Sequence, residues 1–153
     1  MARFEQLKSD NDLKEIIKSA FDADLAISGA WGYTKELATI IESSNVPLKQ
    51  LEHMLASMRA YIEMNMTLPP EERYGSINLN ETAREQERIE NLVYDKVIYE
   101  ITAMKEDTYT SFINEYKEGL GTEGFDIAKH FDERKKATIA RNEAYWFEVH
   151  QAL

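Results

Sequence analysis

The chain has 153 residues, a formal charge of -10 and no cysteine, which excludes disulfides, thiolate nucleophiles, zinc ribbons, iron-sulfur clusters and covalently attached c-type haem. Its length suits a single domain, residues 1–153, whose core needs no staples. Such acidity repels phosphate backbones, and the one basic concentration, Lys129, Arg134, Lys135, Lys136 and Arg141, is interleaved with acids, so no nucleic-acid partner is expected.

The opening MARFEQLKSDND lacks the basic-then-apolar pattern of a secretory leader, and no apolar run reaches the length of a membrane span. A cytoplasmic protein with no membrane partner is the expectation. Ser9 or Asp10 reads as the cap of a first helix, with Asp12 and Glu15 in its opening turn. Leu13, Ile16, Ala20, Ala23, Ile27, Ala30, Thr34, Leu37 and Ile41 then continue at steps of three and four, a heptad-like seam. Its middle is small, and Gly29 and Gly32 predict a supercoil or a bend there. Trp31 and Tyr33 read as large side chains filling space beside small ones.

Ser43 to Asn45 close that helix, and Pro47 suits the first position of a second. The stripe Leu48, Leu51, Met54, Leu55, Met58, Tyr61, Ile62 and Met66 carries the second helix, which stops before Pro69 and Pro70. His53 lies off this stripe and reads as a surface residue. Residues 67–79 read as an ordered loop.

From Asn80 to Glu118 neither glycine nor proline occurs, and the span predicts one long third helix. Ile89, Val93, Val97, Ile101, Met104, Thr108, Phe112 and Tyr116 form its ridge, with Tyr94, Ile98, Tyr109 and Ile113 as a second apolar flank. Half of the chain's excess negative charge lies on this span. Three glycines between 119 and 124 break it, and a fourth helix follows from about Thr122 or Asp126 to the end. These elements predict an all-α fold, an antiparallel four-helix bundle with long first and third helices.

Catalytic signatures are sparse. No Glu-x-x-His pair appears for a di-iron site, nor a phosphate loop, dinucleotide fingerprint, His-Glu-x-x-His or esterase elbow. Asp126, His130 and Glu133 share a helical face, a set that arises commonly by chance, so no metal and no cofactor is predicted. In the bundle, Lys135, Thr138 and Asn142 would make the centre of the last helix polar, opposite Thr108, and these four are the candidate ligand-binding residues. Tyr94, Ile98, Tyr109 and Ile113 are the candidate interface, which predicts a homodimer or a stable protein partner. The functional expectation is a non-enzymatic interaction module of adaptor, chaperone-like or regulatory type. The alternative is a helical-bundle metal-dependent enzyme or a small-ligand-binding protein using interior polar residues.

Overall fold

The computed structural model describes residues 4–8 and 12–153. It overturns the all-α bundle. The chain forms α1 (Leu13–Phe21), β1 (Ile27–Gly29), β2 (Thr39–Ile41), α2 (Leu48–Tyr61) extended by a π-turn (Ile62–Met66), β3 (Tyr74–Ile89), β4 (Leu92–Lys105), α3 (Glu106–Gly119), α4 (Ile127–Ala137) and β5 (Ile139–Glu148). The strands make one mixed sheet in the order β1-β2-β5-β4-β3, antiparallel throughout except where β2 pairs with β5.

The expected third helix is the heart of that sheet, and the reason is arithmetic. Val93, Val97 and Ile101 recur every four residues, and four is a multiple of two, so the series fits one face of a strand as well as one stripe of a helix. The residues between decide the matter. Val93, Asp95, Val97, Tyr99, Ile101 and Ala103 are buried, whereas Tyr94, Lys96, Ile98, Glu100 and Thr102 are half-buried, a period-two alternation rich in β-branched and aromatic side chains. Glu90 and Asn91 turn the chain between β3 and β4, and Glu90 adopts a left-handed φ of 54° without a glycine to announce it.

The expected first helix is real only over nine residues. The Ser9 and Asp10 caps lie outside the described residues; Asp12 caps α1, its Oδ1 accepting from the Lys14 amide at 3.0 Å. Asp22 ends it in the left-handed region at φ 53°. The seam beyond becomes β1, a loop and β2. Gly29 therefore ends β1 and Gly32 lies in the loop that follows, at φ 84° and 86°, and neither is a point of helix approach. The fourth helix is likewise short: after Ala137 the chain becomes β5, where Tyr145 and Phe147 are buried on one face, with half-buried Ala144 before them and half-buried Trp146 between them.

The second helix lies where its periodicity places it, but rotated. Leu51, Leu55, Ala56 and Ala60 are buried together with Glu52 and Arg59, while Met54 and Met58 are only half-buried and Tyr61 is exposed. This face packs with α1 against the inner side of the sheet, forming the core around Ile17, Ile41, Val97, Ile101, Phe147 and Val149. The α3–α4 hairpin sits apart, at the end of the sheet where β3 starts and β4 finishes, and there the Tyr109 ring lies 3.5 Å from where a Cβ on Gly75 would stand.

Gly32 fixes the loop between β1 and β2 onto β5. Its amide donates to the Leu37 carbonyl at 2.7 Å, its carbonyl accepts from the Trp146 amide at 2.8 Å, and a Cβ would stand 2.8 Å from the Trp146 carbonyl oxygen. Gly32→Ala is expected to cost more than about 2 kcal/mol in urea unfolding, whereas Gly121→Ala, equally left-handed but in open space, should cost about 1 kcal/mol.

Candidate functional site: a buried charge layer beneath an open sheet edge

Glu52, Arg59 and Glu63 stand at i, i+7 and i+11 along α2 and its π-turn, on the face that meets the sheet, and their exposures are 0%, 0% and 3%. Charges buried to this degree must be paired and hydrogen-bonded. The sheet supplies the partners in two groups.

The first group surrounds Arg59. Its guanidinium lies between the rings of Tyr33 and Tyr145, 4.0 and 3.6 Å from their centroids. Nη1 donates to the Trp31 carbonyl at 3.2 Å and Nη2 to the Ala144 carbonyl at 3.4 Å, while Nε faces Glu63 Oε2 at 3.6 Å. Glu63 is saturated: Oε1 accepts from Arg141 Nη2 at 2.8 Å and Oε2 accepts from the Tyr33 hydroxyl. Burial, reinforced by Glu63, pushes the Tyr33 hydroxyl well above its ordinary range, so it stays a phenol donor. Burial likewise pushes the Tyr145 hydroxyl up to about 12.

The π-turn places these groups. The Thr67 amide closes the five-residue step to the Ile62 carbonyl at 3.1 Å, and the Thr67 hydroxyl donates to the carbonyls of Ile62 and Glu63, each at 3.1 Å. Asn65 Nδ2, in the same turn, donates to the Tyr74 carbonyl at 3.2 Å and ties the helix end to the start of β3.

The second group surrounds Glu52. Arg84 Nη1 lies 2.8 Å from Glu52 Oε1 and 3.5 Å from Asp95 Oδ2, and its Nη2 bonds Glu81 Oε1 at 2.7 Å. A bulge makes this possible. The register passes from Glu81↔Tyr99 directly to Ala83↔Ile98, so Thr82 is an extra residue. Past it the alternation of β3 inverts, and Arg84, opposite buried Val97, turns inward to α2. Burial works against the charge of Arg84, but Glu81 and Glu52 outweigh it and hold its proton above the ordinary range. Burial, with the Asp95 carboxyl as hydrogen-bond partner, raises Glu52 from 4.5 to about 8, against the opposing pull of Arg84.

Past the bulge β3 is also the free edge of the sheet. Residues 83–89 are exposed except for half-buried Arg84, pair regularly with β4 and contain no proline, glycine or lysine. Ala83, Glu85 and Glu87 point to the outer face; Arg84, Gln86 and Arg88 point to the inner one. Lys35 bonds Glu87 at 2.6 Å and reaches towards the Trp146 ring, 5.5 Å from its centroid, with Lys96 at 5.4 Å.

The residues singled out by sequence lie elsewhere and apart. Thr108 is half-buried in the first turn of α3, Lys135 is exposed in the last turn of α4, and Asn142 is exposed on β5 opposite Glu100. Thr138 follows α4, its hydroxyl donating to the Arg134 carbonyl at 2.8 Å. The helix pairing meant to gather these four does not exist. Tyr94 and Ile98 lie on the outer face of β4, while Tyr109 and Ile113 belong to α3. Asp126 caps α4 through the Lys129 amide, and His130 is buried with Nδ1 3.1 Å from Glu115 Oε1, among the rings of Phe112, Tyr116, Phe125 and Phe131. Among the described residues no three His, Cys, Asp or Glu side chains gather as a metal site.

Sequence reading missed Glu52, Arg59, Glu63, Arg84 and Arg141 because charges on an amphipathic helix or on a strand read as solvated. The available signal was Ala56 and Ala60, small residues on the same face as the charges, which let the helix approach the sheet closely.

Two outcomes test the layer. Arg141→Met strips Glu63 of its closer charged partner and is expected to cost about 3–5 kcal/mol in chemical denaturation, and adding Glu63→Gln should not restore it, because the buried Arg59 then loses its carboxylate. Glu52 keeps its proton in the folded protein up to about pH 8 but releases it near 4.5 when unfolded, so its contribution makes stability fall as pH rises from about 4.5 to 8. Glu52→Gln preserves the acceptor for Arg84 and cannot ionise; denaturation midpoints taken across this window should show the variant gaining steadily on the parent and levelling above about 8. Comparison with protein-family models, with curated proteins and with solved structures finds no significant match to this chain.

Proposed function

We propose that the protein is a non-enzymatic interaction module whose docking element is the free edge of β3, residues 83–89, and whose partner is an extended segment with basic side chains at alternate positions. The edge carries the reading: a regular, exposed stretch with unpaired peptide groups along one side is a template for one more strand. Its charge selects the occupant. Cations spaced two apart would face Glu85 and Glu87 on the outer side, each cross-strand pair contributing about 0.2–1 kcal/mol, while polar or acidic residues between them would face Arg88.

A second copy fits poorly. An antiparallel pairing of two edges about a twofold axis sets residues of the same face opposite one another. Registers centred anywhere from 83 to 88 then oppose Glu to Glu or Arg to Arg. Of the two helices that motivated a homodimer, the first is broken into α1, loop and two short strands and the third is largely β3 and β4, which removes the earlier basis for one. Against an enzyme stands the closure of the interior: Glu52, Glu63 and Asp95 are at most 3% exposed as residues and each meets an arginine, so none is open to a substrate.

A nine-residue peptide alternating Lys and Thr is the probe. Titrated into the labelled protein, it should shift the backbone amide resonances of residues 83–89. Glu85→Lys with Glu87→Lys should weaken it at least about fivefold, and a Glu-for-Lys peptide should not bind. Amide shifts centred elsewhere, or equal binding of the acidic peptide, would sink the reading.

A further inference from the structure

Where α2 ends in its π-turn, a cavity of about 220 Å³ opens between the N-terminal segment, the start of β3 and the end of β4. Phe4 and Tyr74 form its aromatic walls, 5.4 Å apart edge to face, and Glu5, Glu63, Glu72 and Lys105 also line it. Both walls are already in contact with cations. The Arg141 guanidinium, which neutralises Glu63, lies 4.5 Å from the Phe4 centroid, and the Lys105 ammonium lies 4.4 Å from that of Tyr74.

The position of Lys105 is informative. It is the N-cap residue of α3, where the helix dipole repels positive charge, yet its Nζ is seated over the ring. One hydrogen bond, to the Glu72 carbonyl at 3.0 Å, and the face of Tyr74 hold it there. Lys105 is itself exposed, so a competing ammonium can displace it without unpacking the core. With Glu63 matched by Arg141, the carboxylates of Glu5 and Glu72 leave the mouth of the cavity electronegative once Lys105 swings out.

We infer that this cavity is a binding site for a primary alkylammonium, of the kind borne by a lysine side chain, with Lys105 as the built-in occupant of the seat over Tyr74. The incoming ammonium takes that seat between Tyr74 and the Glu72 carbonyl, and its alkyl chain lies along Phe4. No bond is made or broken. The site is independent of the β3 edge and stands or falls separately.

The probe is N-acetyl-lysine methylamide, with the norleucine counterpart as its neutral match in length. In NMR titration of the full chain to about 20 mM, the lysine compound is expected to shift the ring resonances of Phe4 and Tyr74, and the norleucine compound to leave them in place. Lys105→Met empties the seat and should tighten the lysine compound by about threefold to tenfold. Lys105→Ala, which also vacates the Glu72 carbonyl and the face of Tyr74, should do the same if Lys105→Met does not fold. Glu72→Gln should weaken it. Equal response to norleucine, no ring shifts with lysine, or unchanged or weaker binding after Lys105 is replaced would each overturn the assignment.

Discussion

The guanidinium of Arg59, wedged between Tyr33 and Tyr145, fixes how α2 lies on the sheet. Removing this charge from water costs several kcal/mol, and the cost is offset only while two ring faces, two carbonyls and Glu63 all stay in place. Those groups come from three parts of the chain. Tyr33 and the Trp31 carbonyl belong to the loop after β1, Tyr145 and the Ala144 carbonyl to β5, and Glu63 to the π-turn. The loop can reach under the helix because Gly32 lies against the Trp146 backbone where a side chain could not. Loop, β5 and α2 are thus one mechanical unit, and the ionic layer determines position more than it adds stability.

The bulge at Thr82 couples the other end of α2 to the β3–β4 hairpin. Without the extra residue, Arg84 would point to the outer face and Glu52 would lose the cation that faces it. With it, Arg84 joins α2, β4 and Glu81 at one point, so the stretch that follows starts from a fixed direction. A strand edge held in this way loses little freedom when another strand adds to it, which favours recognition by preorganisation. The same inversion turns Glu85 and Glu87 outward, so one local irregularity sets both the internal tether and the sign of the exposed edge.

Legibility in the sequence followed the range of the interactions. The helix Leu48–Tyr61 was readable because its spacing of three and four is incompatible with a strand, and the cap of α1 was near enough in sequence to place within a few residues. Ile89, Val93, Val97 and Ile101 misled because their spacing of four suits both periods, and because the turn at Glu90 and Asn91 lacks the glycine that would have divided the span. The charge layer was illegible for another reason. Glu63 and Arg141 lie 78 residues apart, and Glu52 and Arg84 lie 32 apart, so each looks solvated until the sheet brings its partner to it. Periodicity reports burial of apolar groups; it is silent on charges buried in pairs.

Acidity in this protein is sorted by location. Inside, the carboxyl of Glu52 and the carboxylates of Glu63 and Asp95 meet Arg84 and Arg141, and the chain's excess negative charge gains nothing from them. Outside, uncompensated carboxylates remain at two places where backbone or aromatic surface is also open: the far end of β3 at Glu85, and the cavity at its near end beside Tyr74 and Glu72. The two proposed sites differ in means, the edge offering peptide hydrogen bonds with flanking charge and the cavity a ring face for a single ammonium. The excess negative charge of the chain favours the approach of a cation to either place from a distance.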